Sequence, residues 1–296
     1  MPRLTAADFD PEVLILFDAY VHGALDRRGF LDKAKRYAVG GVTAAMLLDQ
    51  LSPKFAEAQQ VPKDDARVKT SWEEFPSPQG SGKGRGYLVR PANATGKLPA
   101  ILVVHENRGL NPHIEDIARR IALDGYMAFA PDALFTAGGY PGDEDKARTL
   151  FQTLDQTKIR EDFVAAANWL RARPDATGKL GTVGFCYGGA IVNLLATRVP
   201  ELAAGVPFYG TAPQPADVPK IKAALLLQYA ENDERVNATK PPYEEALKAA
   251  KIPYEVYVYP GTQHGFNNDT TPRYDEKAAK LAWERTLAFF AKHLKG

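Results

Sequence analysis

The sequence contains very little sulfur, with a single cysteine, Cys186, and three methionines among 296 residues. One cysteine cannot pair within its own chain, so an internal disulfide is excluded. The thiol is then either a small apolar filler or a reactive group. A lone cysteine is more often filler, so the residues around Cys186 have to decide between the two.

An excess of charge of either sign is also missing. The chain has 37 Lys and Arg against 36 Asp and Glu, which gives a formal net charge of +1. This balance does not predict the basic surface that binds nucleic acid, so we expect a small-molecule partner. No two histidines stand at the spacing of helical metal ligands, and there is no second cysteine. The sequence therefore predicts neither a metal site nor another cofactor.

Long hydrophobic runs are absent as well, since the apolar stretch over 37–48 is too short to span a bilayer. Before it stand Arg27 and Arg28, and an Ala-x-Ala sequence follows at 56–58, a pattern similar to a bacterial twin-arginine signal. The segment "PEVLILFDAYVHGAL" instead has apolar residues at helical spacing. We predict an ordered helical extension over 1–60 in a cytoplasmic protein, with periplasmic export as the alternative. The extension is expected either to pack on its own chain or to form a homodimer.

Strand and helix patterns alternate through the rest of the chain. "VKTSWEEFPS" and "GRGYLVRPA" predict an antiparallel pair joined by a glycine-rich turn. From Leu98 onward, short apolar runs such as "LPAILVVHE", "LGTVGFC" and "AALLLQYA" alternate with amphipathic helical segments. Such runs are typical of parallel strands that are buried on both faces. Residues 61–296 are therefore predicted to form one α/β domain, a mostly parallel twisted sheet with helices on both faces.

The motif "GFCYGG" places Cys186 between a predicted buried strand and a predicted helix, with Gly184 and Gly188 on either side. A nucleophile on such a sharp turn stands above the sheet, and small neighbours let the strand and helix approach closely. This context favours a nucleophile over a buried filler.

A thiol nucleophile needs a base and an orienting acid, at later strand ends and in the order nucleophile, acid, histidine. Asp233 follows the run "ALLLQYA", and His264 follows "YEVYVYPG". The alternative role for Asp233 is to cap the next helix, with Asp269 or Glu231 as the acid. Of the five histidines, only His264 stands at a late strand end, and this position sets aside the other four: His22, His105, His113 and His293.

The first buried strand runs into the loop "HENRGL", and this loop is expected to complete the site. In this architecture the loop supplies one backbone N–H of an oxyanion hole, and the residue after the nucleophile supplies the other. The candidates are Asn107 and Tyr187. Glu106 beside them is either an acid that controls the thiol or a surface carboxylate, and its spacing favours neither.

Taken together, "HENRGL", "GFCYGG", the Asp of "ENDERV" and "HGF" resemble the dienelactone hydrolase family over roughly residues 70–293. The resemblance implies the α/β-hydrolase fold, a Cys186, His264 and Asp233 triad, and ester or lactone hydrolysis through a thioester without a cofactor. It also implies that Glu106 contacts the resting thiol. The N-terminal extension resembles a longer bacterial branch of the family. Rival interpretations are a thioesterase or peptidase on the same fold, or a noncatalytic binding protein.

The sequence departs from this family where the substrate carboxylate is held. Well-known members use two arginines, but "PDALFTAGGYPGDED" contains none, and Asn268 stands four residues after His264. Three other arginines are candidate replacements, and six aromatic residues are candidates for an apolar pocket. These are Arg108, Arg235 and Arg273, and Phe135, Tyr140, Tyr187, Phe208, Tyr209 and Phe266.

Overall fold

The computed structural model describes residues 3–296, which contain one eight-stranded sheet. Its strands are β1 (Val68–Ser77), β2 (Gly82–Pro91), β3 (Leu98–Val104), β4 (Met127–Pro131), β5 (Ala176–Phe185), β6 (Leu202–Phe208), β7 (Ala224–Asn232) and β8 (Tyr254–Gln263). They lie in the order β1-β2-β4-β3-β5-β6-β7-β8. β1 and β2 form an antiparallel hairpin, β2 pairs antiparallel with β4, and the strands from β3 to β8 are parallel.

Helices cover both faces of this sheet. They are α1 (Pro11–Val21), α2 (Arg27–Ala34), α3 (Ala44–Leu51), α4 (Phe55–Ala58), α5 (Pro112–Leu123), α6 (Glu144–Thr153), α7 (Gln156–Ala172), α8 (Tyr187–Arg198), α9 (Glu234–Asn237), α10 (Lys240–Ala249) and α11 (Glu276–Leu294). α5 and α11 pack on one face, and α7, α8 and α10 pack on the other.

The alternation of side chains along β3 explains the two layers. Ile101 and Val103 belong to the core shared with α5 and α11, whereas Leu102 and Val104 belong to the core shared with α7 and α8. All four are fully buried. A strand buried on both faces gives a continuous apolar run, which is why the sequence predicts this part of the sheet correctly. Because the strands are parallel, the loops after β3, β5, β7 and β8 meet at one edge.

The N-terminal helices have an apolar cluster of their own, in which α1, α2 and α3 bury residues such as Phe17, Phe30 and Leu51. The extension is also bonded to the rest of the chain. Asn107 Nδ2 donates to the Val21 carbonyl at 2.9 Å, and the Lys54 amide donates to the Thr270 carbonyl at 2.7 Å. The apolar faces of these helices are thus packed within the chain, and the homodimer stays a prediction.

The predicted fold class is confirmed, with differences at particular elements. The sequence patterns do not predict α6, because its first two residues end the turn-rich stretch "GGYPGDED". Asp143 caps this helix by accepting from the Lys146 amide at 2.8 Å. Along residues 3–296, no helix combines the length and the apolar character that a membrane crossing requires.

Candidate active site

Cys186 occupies a sharp turn between β5 and α8. Its backbone has φ 56° and ψ −113°, a strained region for a residue with a side chain. Two main-chain hydrogen bonds hold the turn, from the Cys186 amide to the Phe208 carbonyl at 3.1 Å and from the Ala190 amide to the Cys186 carbonyl at 3.2 Å. This is the geometry of a nucleophile elbow, which presents the side chain at the carboxyl edge of the sheet.

The glycines around this turn are required by close backbone contacts. A Cβ atom on Gly184 would lie 2.3 Å from the Gly188 carbonyl oxygen, and one on Gly188 would lie 2.2 Å from the Val104 carbonyl oxygen. A Cβ on Gly189 would lie 2.6 Å from the Phe208 carbonyl oxygen. Any side chain at these positions would therefore push α8 away from the sheet and displace Cys186.

His264 and Asp233 meet at the same edge, from the loops after β8 and β7. The His264 Nδ1 lies 2.6 Å from Asp233 Oδ2, and both side chains are almost completely buried. Asp233 Oδ1 also accepts from the Val236 amide at 3.4 Å and so caps α9. The two roles considered for Asp233 therefore occur together, one on each oxygen. The substitutes are engaged elsewhere, Asp269 by Arg120 and Glu231 by the Gly261 amide.

The other ring nitrogen of His264, Nε2, is not bonded to Asp233. Its Nε2 is buried and has no hydrogen-bond partner among the described residues. A ring nitrogen of His264 lies within 4.8 Å of the Cys186 Sγ. Sulfur, imidazole and carboxylate thus lie in the order expected of a triad, and Nε2 is buried without another partner.

A second imidazole, that of His22, also reaches the sulfur. Its Nε2 lies 3.3 Å from Sγ, and its ring packs edge-on against that of His264 with centroids 4.7 Å apart. The expectation of a histidine at a late strand end excludes His22, which follows an early helix far from those ends. No spacing rule could have found it, since only the packing of α1 over the sheet edge brings it to Cys186.

Cys186, His22 and His264 also form a cluster of potential metal ligands that the sequence pattern does not reveal. Sγ and one ring nitrogen of each histidine lie within 4.8 Å of one another, and these are the ligand types that zinc prefers. The prediction of no metal rested on sequence spacing alone. Sequence spacing cannot reveal groups that the fold brings together from three distant segments.

Opposing effects set the ionisation of these groups. Burial disfavours the thiolate, but the imidazoles of His264 and His22 outweigh it and lower the pKa of Cys186 to about 5. Burial likewise disfavours protonated His264, but the thiolate and Asp233 raise its pKa to about 10. The pKa of His22 is also raised, because Cys186 and Asp18 outweigh its burial. These shifts favour a thiolate at Cys186 beside a protonated His264.

The predicted oxyanion donors and Glu106 lie around the sulfur. Within residues 3–296, the main-chain amides of Asn107 and Tyr187 donate to no other group, as an oxyanion hole requires. Glu106 accepts from Asn268 Nδ2 at 3.2 Å. The side chain within hydrogen-bond distance of Sγ is that of His22, whose Nε2 lies 3.3 Å away, and not that of Glu106. Control of the thiol by Glu106 therefore stays a prediction.

Two cavities of different size flank Cys186. The larger, of about 410 Å³, is lined by Phe151, Tyr187, Tyr209 and Arg235, and His22 forms part of its wall. The smaller, of about 40 Å³, lies beneath α1 on the side of Glu106. Residues of the extension line this smaller cavity, and the cavity on the side of Tyr187 has more room for a substrate.

Several predicted substrate residues do not line the larger cavity. Phe266 is completely buried against neighbouring rings, as is Phe208. Phe135 lies at a separate depression near β2, and Tyr140 donates to Glu144 at 2.8 Å. Of the aromatic candidates, Tyr187 and Tyr209 remain. The prediction erred on the others because residue type and sequence order do not reveal which way a ring points.

The three candidate arginines have different surroundings. Arg108 lies 2.9 Å from Glu144, and Arg273 lies 3.3 Å from Asp18, so both are already paired with carboxylates. Both line the small cavity. Arg235 is exposed and lines the large cavity.

Comparison with known proteins gives the same picture. The model of the dienelactone hydrolase family matches residues 85–294, which is more than half of the chain. The chain belongs to the dienelactone hydrolase family. It is a hydrolase with the α/β-hydrolase fold. Residues 1–40 match a different model, described as YqhI-like.

Individual relatives cover most of the chain. A protein named "Putative carboxymethylenebutenolidase" from Escherichia coli K12 is 34% identical over 82% of this chain and 93% of its own length. A crystal structure of a "Putative Dienelactone Hydrolase" from Klebsiella pneumoniae is 32% identical, covers 76% of this chain and 99% of its own, and has a TM-score of 0.66. A third relative matches less of the chain: a protein named "Putative hydrolase fragment YghX" from Escherichia coli K12 is 54% identical over 39% of this chain and 99% of its own length.

Proposed function

We propose that this hydrolase cleaves carboxylic esters or lactones, with Cys186 as the nucleophile and a thioester as the intermediate. The observation that carries the proposal is the convergence of Sγ, the free Nε2 of His264 and Asp233 on a strained turn. The names of the family and its relatives agree with this substrate class. A noncatalytic binding protein would have no use for the strain or for a depressed thiol pKa.

The proposed reaction has two halves. The Cys186 thiolate attacks the carbonyl carbon, and the Asn107 and Tyr187 amides stabilise the oxyanion that forms. As the C–O bond breaks, the proton on His264 Nε2 passes to the leaving oxygen, which departs as an alcohol or, from a lactone, as a hydroxyl on the same acyl chain. His264 then takes a proton from water, which attacks the thioester, and the thiolate leaves.

The larger cavity supports a compact substrate with an apolar body. Phe151, Tyr187 and Tyr209 supply apolar wall, and Arg235 supplies the one guanidinium among residues 3–296 that lines it. We propose that Arg235 binds an acidic group of the substrate in place of the missing arginine pair. In the tetrahedral intermediate of an amide, the thiolate leaves more readily than the amine, so the attack tends to reverse. We therefore expect esters and lactones to be preferred over amides.

The proposal is tested with Cys186→Ala, for which we expect complete loss of p-nitrophenyl acetate hydrolysis. Intact-protein mass spectrometry after rapid mixing with the ester should show an acetyl adduct in the wild type and none in the variant. His293→Gln, at an uninvolved site near the carboxyl end, serves as the matched control.

Matched thioester and anilide substrates distinguish thioesterase and peptidase activity, and an anilide turned over faster than its ester would contradict the assignment. If Cys186→Ala still hydrolyses the ester, the assignment of Cys186 as the nucleophile is wrong.

A further inference from the structure

Two helix ends meet at the sulfur atom. Cys186 immediately precedes α8, so Sγ stands near the amino end of that helix, whereas His22 immediately follows α1 and stands at its carboxyl end. Helix amino ends favour negative charge and carboxyl ends favour positive charge, by about 0.3 to 1 kcal/mol when exposed and up to about 2 kcal/mol when partly buried. Both helices therefore favour a thiolate and an imidazolium at this junction.

From this arrangement we infer that His22 is a further catalytic residue: its imidazolium pairs with the Cys186 thiolate and holds the nucleophile ionised. The inference rests on the proposed function for the meaning of the thiolate, but the pairing itself can be measured without turnover. It makes the N-terminal extension part of the active site and not an appendage to it.

The contacts of His22 fix both its orientation and its tautomer. Nδ1 lies 2.8 Å from the Asp18 carbonyl and 3.2 Å from the Asp18 carboxylate, so it carries the proton that these oxygens accept. Asp18 is held in turn by Arg273 at 3.3 Å. With Nδ1 committed to Asp18, Nε2 is the atom that faces Sγ. A carboxylate behind an imidazole raises the basicity of its far nitrogen, as Asp233 does for His264.

Every charged group that faces His22 bears on its protonation. Asp18 and the thiolate favour the imidazolium, whereas the neighbouring His264 opposes it. Arg235 Nη2 lies 3.0 Å from the same Nε2, to which it donates when His22 is neutral. Arg235 is exposed, so its guanidinium is free to turn to solvent or to a substrate when Nε2 takes a proton. The ring lies 3.2 Å from the Asp18 carboxylate and 3.3 Å from Sγ, so two anions, one at each ring nitrogen, oppose this single cation.

The two imidazoles then have separate tasks. His264 Nε2 has no partner, so it is the one that exchanges protons with the leaving oxygen and with water. His22 transfers no proton and forms no covalent bond. It stabilises the negative charge on sulfur in the resting enzyme and again when the thioester breaks and the thiolate is released.

The test is the pH dependence of alkylation by iodoacetamide, which reports the thiolate directly because Cys186 is the only cysteine. In His22→Gln we expect the midpoint of the alkylation rate to rise by about 1 to 3 pH units, the range for removal of an opposite charge at this distance. From a wild-type pKa of about 5, the thiolate fraction at pH 6, and with it the alkylation rate, should then fall by about twofold for a rise of one unit and by about ninetyfold for a rise of three. His293→Gln should leave the midpoint unchanged.

Further measurements separate a local charge effect from general damage. In His22→Ala, added free imidazole should restore part of the low-pH alkylation rate, which a merely structural role for His22 would not allow. Should the His22 variants fail to fold by circular dichroism, Asp18→Asn keeps the ring and should shift the midpoint upward by a smaller amount. A midpoint in folded His22→Gln, or in Asp18→Asn, that equals the wild-type value overturns the inference.

Failure of this inference can be distinguished from failure of the proposed function. If Cys186→Ala still hydrolyses esters, the proposed function is wrong whatever the alkylation profiles show. If Cys186→Ala is inactive but His22→Gln alkylates and turns over like the wild type, the function stands and the role of His22 falls.

Discussion

At the scale of single residues, the chemistry of this protein depends on how one sulfur atom is surrounded. Cys186 is flanked by His264 and His22, whose positive charges outweigh the cost of burying a thiolate. His264 in turn owes its orientation to a 2.6 Å contact with Asp233. The proposed role of this side chain as a nucleophile depends on that balance of charge and burial.

A pH profile of the wild-type enzyme tests this ionisation. An unperturbed cysteine has a pKa of about 8.5 and reacts slowly at pH 6. Here the pKa of Cys186 is lowered to about 5, so alkylation should rise with pH around 5 and then stay level through neutrality. The rate falls below this pH because sulfur takes up a proton. Stopped assays with iodoacetamide from pH 4 to 9 measure the curve, and a midpoint above pH 8 would show an ordinary thiol.

At the scale of elements, the close approach of α8 to the sheet decides whether Cys186 is presented at all. Gly188 lies in the first turn of α8, where its backbone meets the carbonyl oxygen of Val104 on β3. No side-chain movement can relieve a contact with backbone. The glycine is therefore needed for its lack of volume, and not for backbone flexibility.

Gly188→Ala tests this packing. Its Cβ would lie 2.2 Å from the Val104 carbonyl oxygen, so α8 has to shift. We expect a loss of about 1 to 3 kcal/mol in the free energy of unfolding and a larger fractional loss of esterase activity. Gly96→Ala is the matched control, since nothing lies within 4 Å of its Cβ position. Urea unfolding and p-nitrophenyl acetate turnover measure both effects, and equal stability of the two variants would show that the approach is not tight.

At the scale of the whole molecule, a buried ionic cluster joins the extension to the catalytic part. Arg120 on α5 donates to Asp116 at 2.9 Å and to Asp269 at 2.6 Å, after the last strand. Gln60, at the end of the extension, bonds the same two carboxylates, with its amide at 3.1 Å from Asp116 and its side chain at 2.7 Å from Asp269. The segment that carries His22 is thus fastened at its carboxyl end.

Arg120→Met tests the cluster. The change leaves Asp116 and Asp269 buried without their shared cation, and breaking such a pair costs about 3 to 5 kcal/mol. Arg198→Met removes an equivalent charge from a more exposed pair with Glu161, where we expect a cost of no more than about 1 kcal/mol. The urea midpoints of the two variants make the comparison. If they coincide, the cluster does not stabilise the fold.

The amino-acid sequence by itself determined the parallel sheet, the turn at Cys186 and the pairing of Asp233 with His264. The physical reason is that buried strands and elbow glycines leave local patterns, and the chain order of strand ends follows from them. Only the tertiary structure decided that His22 reaches the thiol, that Arg235 and not Arg108 lines the large cavity, and that Phe266 is core. These three features depend on how a distant helix packs over the sheet edge and on the direction in which each side chain then points. The local spacing of residues along the sequence determines neither of these.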